Sequence, residues 1–265
     1  MISDCRRWLM LAAAVFCCVG AAPVRQKVIA RIDLSKAFHI PSGANFTATQ
    51  EGPLEDPIVG GEAPGQIHLC VQAAPTAKCA PDISNALDEG PESRLFFSKI
   101  RYLERAEIVH PRGISARPLL YLQVASLHSA NGNQIRSVVL LSYRQSTRHF
   151  DTIFHDQFGG NNNEETRFMR AGSLRGSVIA AEPTGSAPYG YWITVNQLTP
   201  DYRYRQTLRY RSATHYSDGN SLAVIDSEMP NILRRLELWR PGQPLPLPKS
   251  GCAKPRLVKS ELWCS

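Results

Sequence analysis

Most of the chain from residue 28 onward consists of short segments in which apolar and polar residues alternate. Successive side chains of a β-strand point to opposite faces, so a period of two predicts strands with one buried face. Segments of this kind, including short apolar runs, occupy 28–34, 66–72, 94–109, 119–127, 134–145, 147–158, 167–181, 189–197, 202–213 and 222–226. Asn131-Gly132 separates two apolar runs, which is typical of a β-hairpin. The sequence predicts an all-β, antiparallel two-sheet sandwich or jelly roll, with a β-barrel as the alternative.

One segment near the C-terminus has a different period. The Ser227 hydroxyl is suited to accept a hydrogen bond from an unpaired amide at a helix start, and Pro241 ends the pattern. The apolar residues between them recur at helical spacing: Ile232, Leu233, Leu236 and Trp239. We expect one short C-terminal helix.

The first 21 residues have the pattern of a secretory signal peptide. Arg6 and Arg7 precede a continuous apolar stretch over 8–18, and Val19-Gly20-Ala21 fits a small-residue cleavage site. The stretch is shorter than the roughly 20 apolar residues of a membrane anchor. We expect cleavage after Ala21 and a secreted or periplasmic protein with no transmembrane segment in the mature chain. The alternative is a buried N-terminal helix.

The remaining chain suits one domain followed by a tail. We expect a single β-sandwich domain over 22–240 and a proline-rich C-terminal tail over 241–265.

Four of the seven cysteines remain after signal removal, an even number that suits an oxidising compartment. Of the three possible pairings we favour Cys70–Cys79 and Cys252–Cys264, because the members of each pair are close in sequence around a turn-like stretch. The alternative, a zinc site, has no support from a common ligand spacing. We expect no metal and no cofactor.

The segment 202–211 alternates tyrosine and arginine. In a regular strand Tyr202, Tyr204 and Tyr210 face one way. The opposite face then carries four guanidinium groups: Arg203, Arg205, Arg209 and Arg211. Guanidinium groups hydrogen-bond carboxylates and phosphates in a planar fork, so this face is a candidate surface for an anionic ligand. The alternative is a solvated face paired with acidic side chains.

Two further sets of residues are candidate ligand contacts. In a strand over 147–158, His149, Asp151 and His155 share a face, while Phe150 and Phe154 point into the core. His149 and Asp151 are thereby candidates for ligand binding or acid–base chemistry, the alternative being an exposed polar face. Trp192 points away from the core residues Tyr191 and Ile193 and is suited to stack on a sugar ring.

Together these features favour an exported, envelope-associated protein that binds an acidic polysaccharide or another envelope protein without catalysis. The alternative is a polysaccharide lyase or hydrolase that acts on an acidic glycan, since lyases need a base, often Tyr or His, beside groups that neutralise a carboxylate. Loss of Arg6, Arg7 and Asp4 with the signal lowers the formal charge from +7 to +6, which is too small to indicate nucleic acid.

Overall fold

A computed structural model describes residues 26–56, 60–84, 86–87, 99–112, 117–130, 132–159, 164–185, 190–212, 221–244, 255–258 and 261–264. The predicted signal peptide over 1–21, Asn131 of the predicted hairpin turn, and Cys252 lie outside these residues.

Strands make up most of the described chain. The first nine strands are β1 (Lys27–Asp33), β2 (Asn45–Gln50), β3 (Leu54–Glu55), β4 (Glu62–Ala63), β5 (Ile67–Gln72), β6 (Tyr102–Val109), β7 (Leu119–His128), β8 (Gln134–Arg144) and β9 (His149–Phe158). The remaining strands are β10 (Glu165–Phe168), β11 (Val178–Pro183), β12 (Tyr191–Leu198), β13 (Tyr204–Arg211), β14 (Pro255–Val258) and β15 (Glu261–Cys264). The described helices are α1 (Ser35–Phe38) and α2 (Ser221–Arg235).

The strands form antiparallel sheets that stack in layers. The N-terminal sheet has the order β1-β2-β5, the central sheet β6-β7-β8-β9 and the C-terminal sheet β10-β11-β12-β13. Two short ladders, β3-β4 and β14-β15, complete the described strands. Each of the three larger sheets is open at both edges, so none of them closes into the barrel that was the alternative. The predicted all-β sandwich with one C-terminal helix is confirmed.

The central sheet is covered on both faces. On one face Leu120, Leu122 and Leu141 pack against Phe46 and Val71 of the N-terminal sheet. On the other face Tyr121, Val138 and Leu140 pack with Phe168 and Val178 of the C-terminal sheet. Burial on both sides explains why β7 and β8 are nearly continuous apolar runs, since neither face has to meet water.

The second face of the C-terminal sheet is covered by α2. Ile179, Tyr191, Ile193 and Val195 pack against helix side chains here. The helix contributes Val224, Ile225, Met229, Ile232 and Leu233. The layers therefore run from the N-terminal sheet through the central and C-terminal sheets to α2.

The predicted start of the helix is wrong. The helix begins at Ser221, so the predicted strand over 222–226 is helical and Ser227 lies inside the helix with Pro230. A short apolar run such as Leu222–Ile225 fits a buried strand or a buried helix equally well, and the packing of Val224 and Ile225 against the C-terminal sheet decides between them. Ile232 and Leu233 of the predicted stripe are buried on α2. Leu236 and Trp239 lie beyond the last helical residue, Arg235, and are partly buried against the same cluster.

The predicted single strand over 167–181 is also wrong, because a turn divides it into β10 and β11. The Gly176 N–H donates to the Met169 carbonyl at 2.7 Å. Gly176 has φ +93°, and a Cβ there would lie 2.5 Å from the Cβ of Pro111. Glycine is required at this turn by both conformation and space.

The first predicted disulfide is present. Cys70 at β5 is bonded to Cys79, and their Cα atoms are 4.9 Å apart. Cys264 lies in β15, whereas Cys252 falls outside the described residues, so the second pairing stays a prediction.

Candidate functional site

The prediction that four arginines share one face of β13 is wrong, because β13 contains a β-bulge. Arg209 pairs with Thr194 and Arg211 with Trp192 on β12, whereas Arg205 pairs with Gln197. Directly paired residues share a face, and positions 192 and 197 of β12 lie on opposite faces. One extra residue in β13 thus places Arg205 on the face opposite Arg209 and Arg211. Arg203 precedes the strand altogether.

The same bulge separates the tyrosines. Tyr210 pairs with Ile193 and packs under α2, where its hydroxyl donates to Glu228 Oε2 at 2.7 Å. Tyr204 pairs with Leu198 and packs against Phe154 of the central sheet, with the ring centres 5.2 Å apart. Tyr204 therefore shares a face with Arg209 and Arg211, contrary to the regular alternation.

Trp192 lies where alternation predicts it. Tyr191 and Ile193 are fully buried, whereas Trp192 is 37% exposed. The guanidinium carbon of Arg209 lies 4.7 Å from the centre of the indole ring. We call Trp192, Arg209 and Arg211 the Trp192 patch.

A second β-bulge lies in β9, and because of it the prediction that His149, Asp151 and His155 share one face is wrong. Asp151 pairs with Ser142 and His155 with Val139, and the ladder slips by one residue between them. His155 consequently faces the N-terminal sheet and lies within 3.0 Å of the Ala86 carbonyl oxygen. His149 and Asp151 lie together on the other face, with His149 Nε2 2.8 Å from Asp151 Oδ1. Phe150 and Phe154 are in the core but in two different clusters.

A cleft of about 750 Å³ opens between the central and C-terminal sheets. Its walls come from the adjoining ends of β8 and β9, from the turn that precedes β13, and from Arg117 before β7. The charged and aromatic lining residues are Arg117, Arg144, Arg203, Asp151, Asp201, Tyr143, Tyr202 and Tyr204. We call this site the arginine–tyrosine cleft. It contains two of the predicted ligand-binding residues, Asp151 and Arg203.

Both carboxylates of the cleft are already paired. Asp151 Oδ2 accepts a hydrogen bond from Arg144 Nε at 2.8 Å, and its other oxygen contacts His149. Asp201 Oδ2 accepts from Arg205 Nη2 at 3.0 Å. Hydrogen bonds from Thr199 and Arg205 lower the pKa of Asp201, which holds it as a carboxylate.

Arg117 and Arg203 make the cleft electropositive. Both are exposed, and neither lies within 4.0 Å of a carboxylate oxygen among the residues that the structure describes. The backbone N–H of Arg117 donates to the Tyr202 hydroxyl at 3.1 Å, and its guanidinium carbon lies 4.9 Å from the Tyr202 ring centre. Tyr202 thus holds Arg117 at the cleft.

The backbone at Tyr202 is in an unusual conformation. Its φ is +59°, and its N–H donates to the Thr199 carbonyl at 2.9 Å within the loop that joins β12 to β13. Three-residue hairpin loops commonly place glycine at the left-handed position, and another residue costs about 1–2 kcal/mol there.

Tyr204 lines the cleft as an apolar wall and is not suited to act as a base. Its hydroxyl donates to the Gly176 carbonyl at 2.7 Å. Burial raises the pKa of Tyr204 well above its ordinary value, so the phenol stays protonated.

A pair of carboxylates lies beside the Trp192 patch. Glu182 pairs across the strands with Trp192, and burial together with the charge of Asp156 raises the pKa of Glu182. Asp156 accepts a hydrogen bond from the Thr166 hydroxyl, and burial raises the pKa of Asp156. The charge of Arg209 opposes the shift at Glu182.

A separate buried charge cluster joins β10 to α2. Arg167 donates to Glu165 at 2.7 Å and to Asp226 at 2.6 Å. Burial raises the pKa of Glu165 to about 7, and the charge of Asp226 adds to the shift while Arg167 opposes it. The cluster lies on the face of the C-terminal sheet that packs against α2, opposite the face that carries Trp192, and is a structural feature of the sheet–helix interface.

Comparison with protein-family models, with curated proteins and with solved structures finds no match to this chain. Within the described ranges, no helix has the length and apolar composition to cross a membrane, and no group of three or more His, Cys, Asp or Glu side chains is placed to hold a metal ion. The fold and the cleft therefore provide the functional argument: an all-β sandwich with an arginine–tyrosine cleft between two of its sheets.

Sequence reasoning missed Arg117, Arg144, Asp201 and Tyr143, and it assigned Tyr202 and Tyr204 to a strand face shared with Tyr210. A turn at Pro200-Asp201 is readable from residue types alone. The contact between Arg117 and Tyr202 is not, because it joins residues 85 positions apart.

Proposed function

We propose that this protein is an exported binding protein that holds an acidic polysaccharide in the arginine–tyrosine cleft without changing it. The observation on which this depends is the pair of cleft arginines, Arg117 and Arg203, that lack carboxylate partners among the described residues. A uronate carboxylate fits the planar fork of a guanidinium group.

The tyrosines favour a sugar over a simple anion. Tyr143, Tyr202 and Tyr204 line the cleft between the charged groups. Aromatic rings offer apolar faces and, in Tyr, a polar edge, which suits a sugar ring with its alternating apolar and hydroxyl surfaces. A volume of about 750 Å³ is within the usual range for small-ligand sites and fits a short stretch of such a chain.

The proposal is tested by the affinity of the mature protein for defined uronate oligosaccharides, measured by titration calorimetry at low salt. We expect Arg117→Gln/Arg203→Gln to weaken binding at least tenfold, since hydrogen bonds to charged groups contribute about 1.5–3 kcal/mol each. The matched control, Arg31→Gln/Arg240→Gln, removes the same charge at exposed positions on β1 and after α2. Equal weakening in both double variants would show a non-specific charge effect and exclude the cleft.

The alternative function is a lyase on the same site. The cleft favours this alternative because it brings Tyr202, a residue type that can act as a base, together with Arg117 and Arg203, which can neutralise a carboxylate. Release of unsaturated product from alginate, pectin or hyaluronan, followed by the absorbance of the new double bond, distinguishes the two. Product formation that Tyr202→Phe abolishes would establish the lyase, and binding without product supports the binding protein.

A further inference from the structure

We propose that the Trp192 patch is a second subsite for the same acidic polysaccharide, so that the ligand runs along β13 from the arginine–tyrosine cleft to Trp192. This inference rests on the proposed function, because it extends the ligand of the cleft to a second region of the molecule.

The β-bulge in β13 makes this arrangement possible. Tyr204 and Arg209 are five positions apart, and in a regular strand they would face opposite sides. The extra residue between the pairs Leu208–Val195 and Gln206–Asn196 brings them to one face. Arg209 and Arg211 thus point to the same side of the C-terminal sheet as the tyrosine wall of the cleft.

The β13 strand between the two regions is accessible. It is the last strand in the order of the C-terminal sheet, and Gln206, Thr207, Arg209 and Arg211 are all exposed. Arg203 and Arg211 are eight residues apart, which corresponds to roughly 25 Å along an extended strand. A short oligosaccharide held in the cleft cannot span that length, whereas a polymer can.

The patch has the side chains that such a subsite needs. Trp192 is the exposed aromatic surface, at 37% exposure, and Arg209 lies against its ring at 4.7 Å. Arg211 Nη2 donates to the Thr184 hydroxyl at 3.3 Å. Within the described part of the chain, neither arginine is within 4.0 Å of a carboxylate oxygen. Glu182, across the strands from Trp192, is suited to accept hydrogen bonds from sugar hydroxyls.

Charge complementarity favours a polyanion with regularly spaced carboxylates. There are two separate pairs of arginines. Arg117 and Arg203 lie at the cleft before β13 begins, and Arg209 and Arg211 lie in β13 near its other end. Arg205 does not belong to either pair, because it faces the other way and contacts Asp201.

The test compares oligosaccharides of increasing length from one uronate polymer, beginning with the disaccharide. We expect the wild-type affinity to rise at least tenfold once the chain is long enough to reach both regions. Trp192→Ala/Arg211→Gln should abolish that gain, so that the affinity of this variant no longer rises with the length of the oligosaccharide. Arg117→Gln/Arg203→Gln should weaken binding at every length. Thermal unfolding verifies that each variant is folded, and Arg211→Gln alone provides a milder second variant.

Each other result overturns the proposal in a distinct way. Wild-type affinity that is independent of length, or a gain that survives in Trp192→Ala/Arg211→Gln, excludes the second subsite and leaves the proposed function intact. Absence of wild-type binding at any length excludes both. Polyglutamate of matched charge is the peptide probe: if it binds as tightly and shows the same sensitivity to the Trp192 variant, the ligand is an acidic peptide rather than a glycan.

Discussion

Arg117 and Tyr202 are 85 positions apart in the sequence and in direct contact in the fold. The Arg117 amide donates to the Tyr202 hydroxyl at 3.1 Å, and its guanidinium carbon lies 4.9 Å from the ring centre. The contact joins the segment that enters β7 to the loop that enters β13, and thereby connects the central sheet to the C-terminal sheet at the cleft.

Removing the Tyr202 ring should release Arg117 from the cleft. We expect Tyr202→Ala to weaken binding of a uronate oligosaccharide about tenfold, because Arg117 loses its cation–π contact and must be ordered again on binding. Tyr202→Phe keeps the ring and should retain most of the affinity, since the ring contact with the Arg117 guanidinium remains. Calorimetric titration of both variants provides the measurement. Equal losses in the two variants would show that the hydroxyl, not the ring, is what matters.

The buried carboxylate of Glu165 predicts a pH dependence of stability. Its pKa in the folded protein is about 7, above the ordinary value of 4.5, so the folded state binds the proton more tightly than the unfolded chain. The contribution of Glu165 to stability is therefore fully present below about pH 4.5 and is lost as the pH rises through 7. A difference of this size corresponds to about 3 kcal/mol.

We expect Glu165→Gln to remove this part of the pH dependence, because the amide cannot ionise. Urea unfolding between pH 5 and 8 measures the effect at several pH values. Glu62→Gln, at an exposed position of β4, is the matched control and should unfold with the wild-type pH profile. A wild-type profile in Glu165→Gln would contradict the assignment.

The Cys70–Cys79 bond should stabilise the N-terminal sheet. The two residues are nine positions apart, and closing a loop of this size removes about 3 kcal/mol of unfolded-chain entropy in the loop-closure treatment. We expect Cys70→Ser/Cys79→Ser to lower the free energy of unfolding by about that amount under non-reducing conditions. Adding a reductant should destabilise the wild-type protein more than the double variant, in which any remaining sensitivity reports the predicted Cys252–Cys264 bond. Equal sensitivity of the two proteins to the reductant would contradict a contribution from Cys70–Cys79.

The predicted signal peptide is tested directly by the N-terminus of the mature protein. Expression of the full chain in a bacterial host should yield an exported protein that begins at Ala22, as read by mass spectrometry. Ala21→Arg places a large charged residue directly before the cleavage site and should block processing. An intact residue 1 on the folded, intracellular protein would contradict the prediction.

Alternation along the chain is a reliable guide to strands but not to the face that each residue occupies. The segments over 119–127, 134–145 and 189–197 are strands within a few residues of their predicted ends. In β9 and β13, one additional residue reverses the face of everything that follows it. His155 and Arg205 are on unexpected faces for this reason, and their residue types give no sign of it.

Residue order alone determined the class of fold, most of the longer strands, the Cys70–Cys79 pair and the exposure of Trp192, because each depends on local spacing or on the period of side chains along one strand. It did not predict β2, the middle strand of the N-terminal sheet. Tertiary structure alone decided that Arg117, Tyr202 and Asp151 line one cleft, that Leu222–Ile225 is helical and that Glu165 is buried beside Asp226. These features arise from contacts between distant segments and from small slips in strand register, and the free energies that set them come from packing between layers rather than from any single segment.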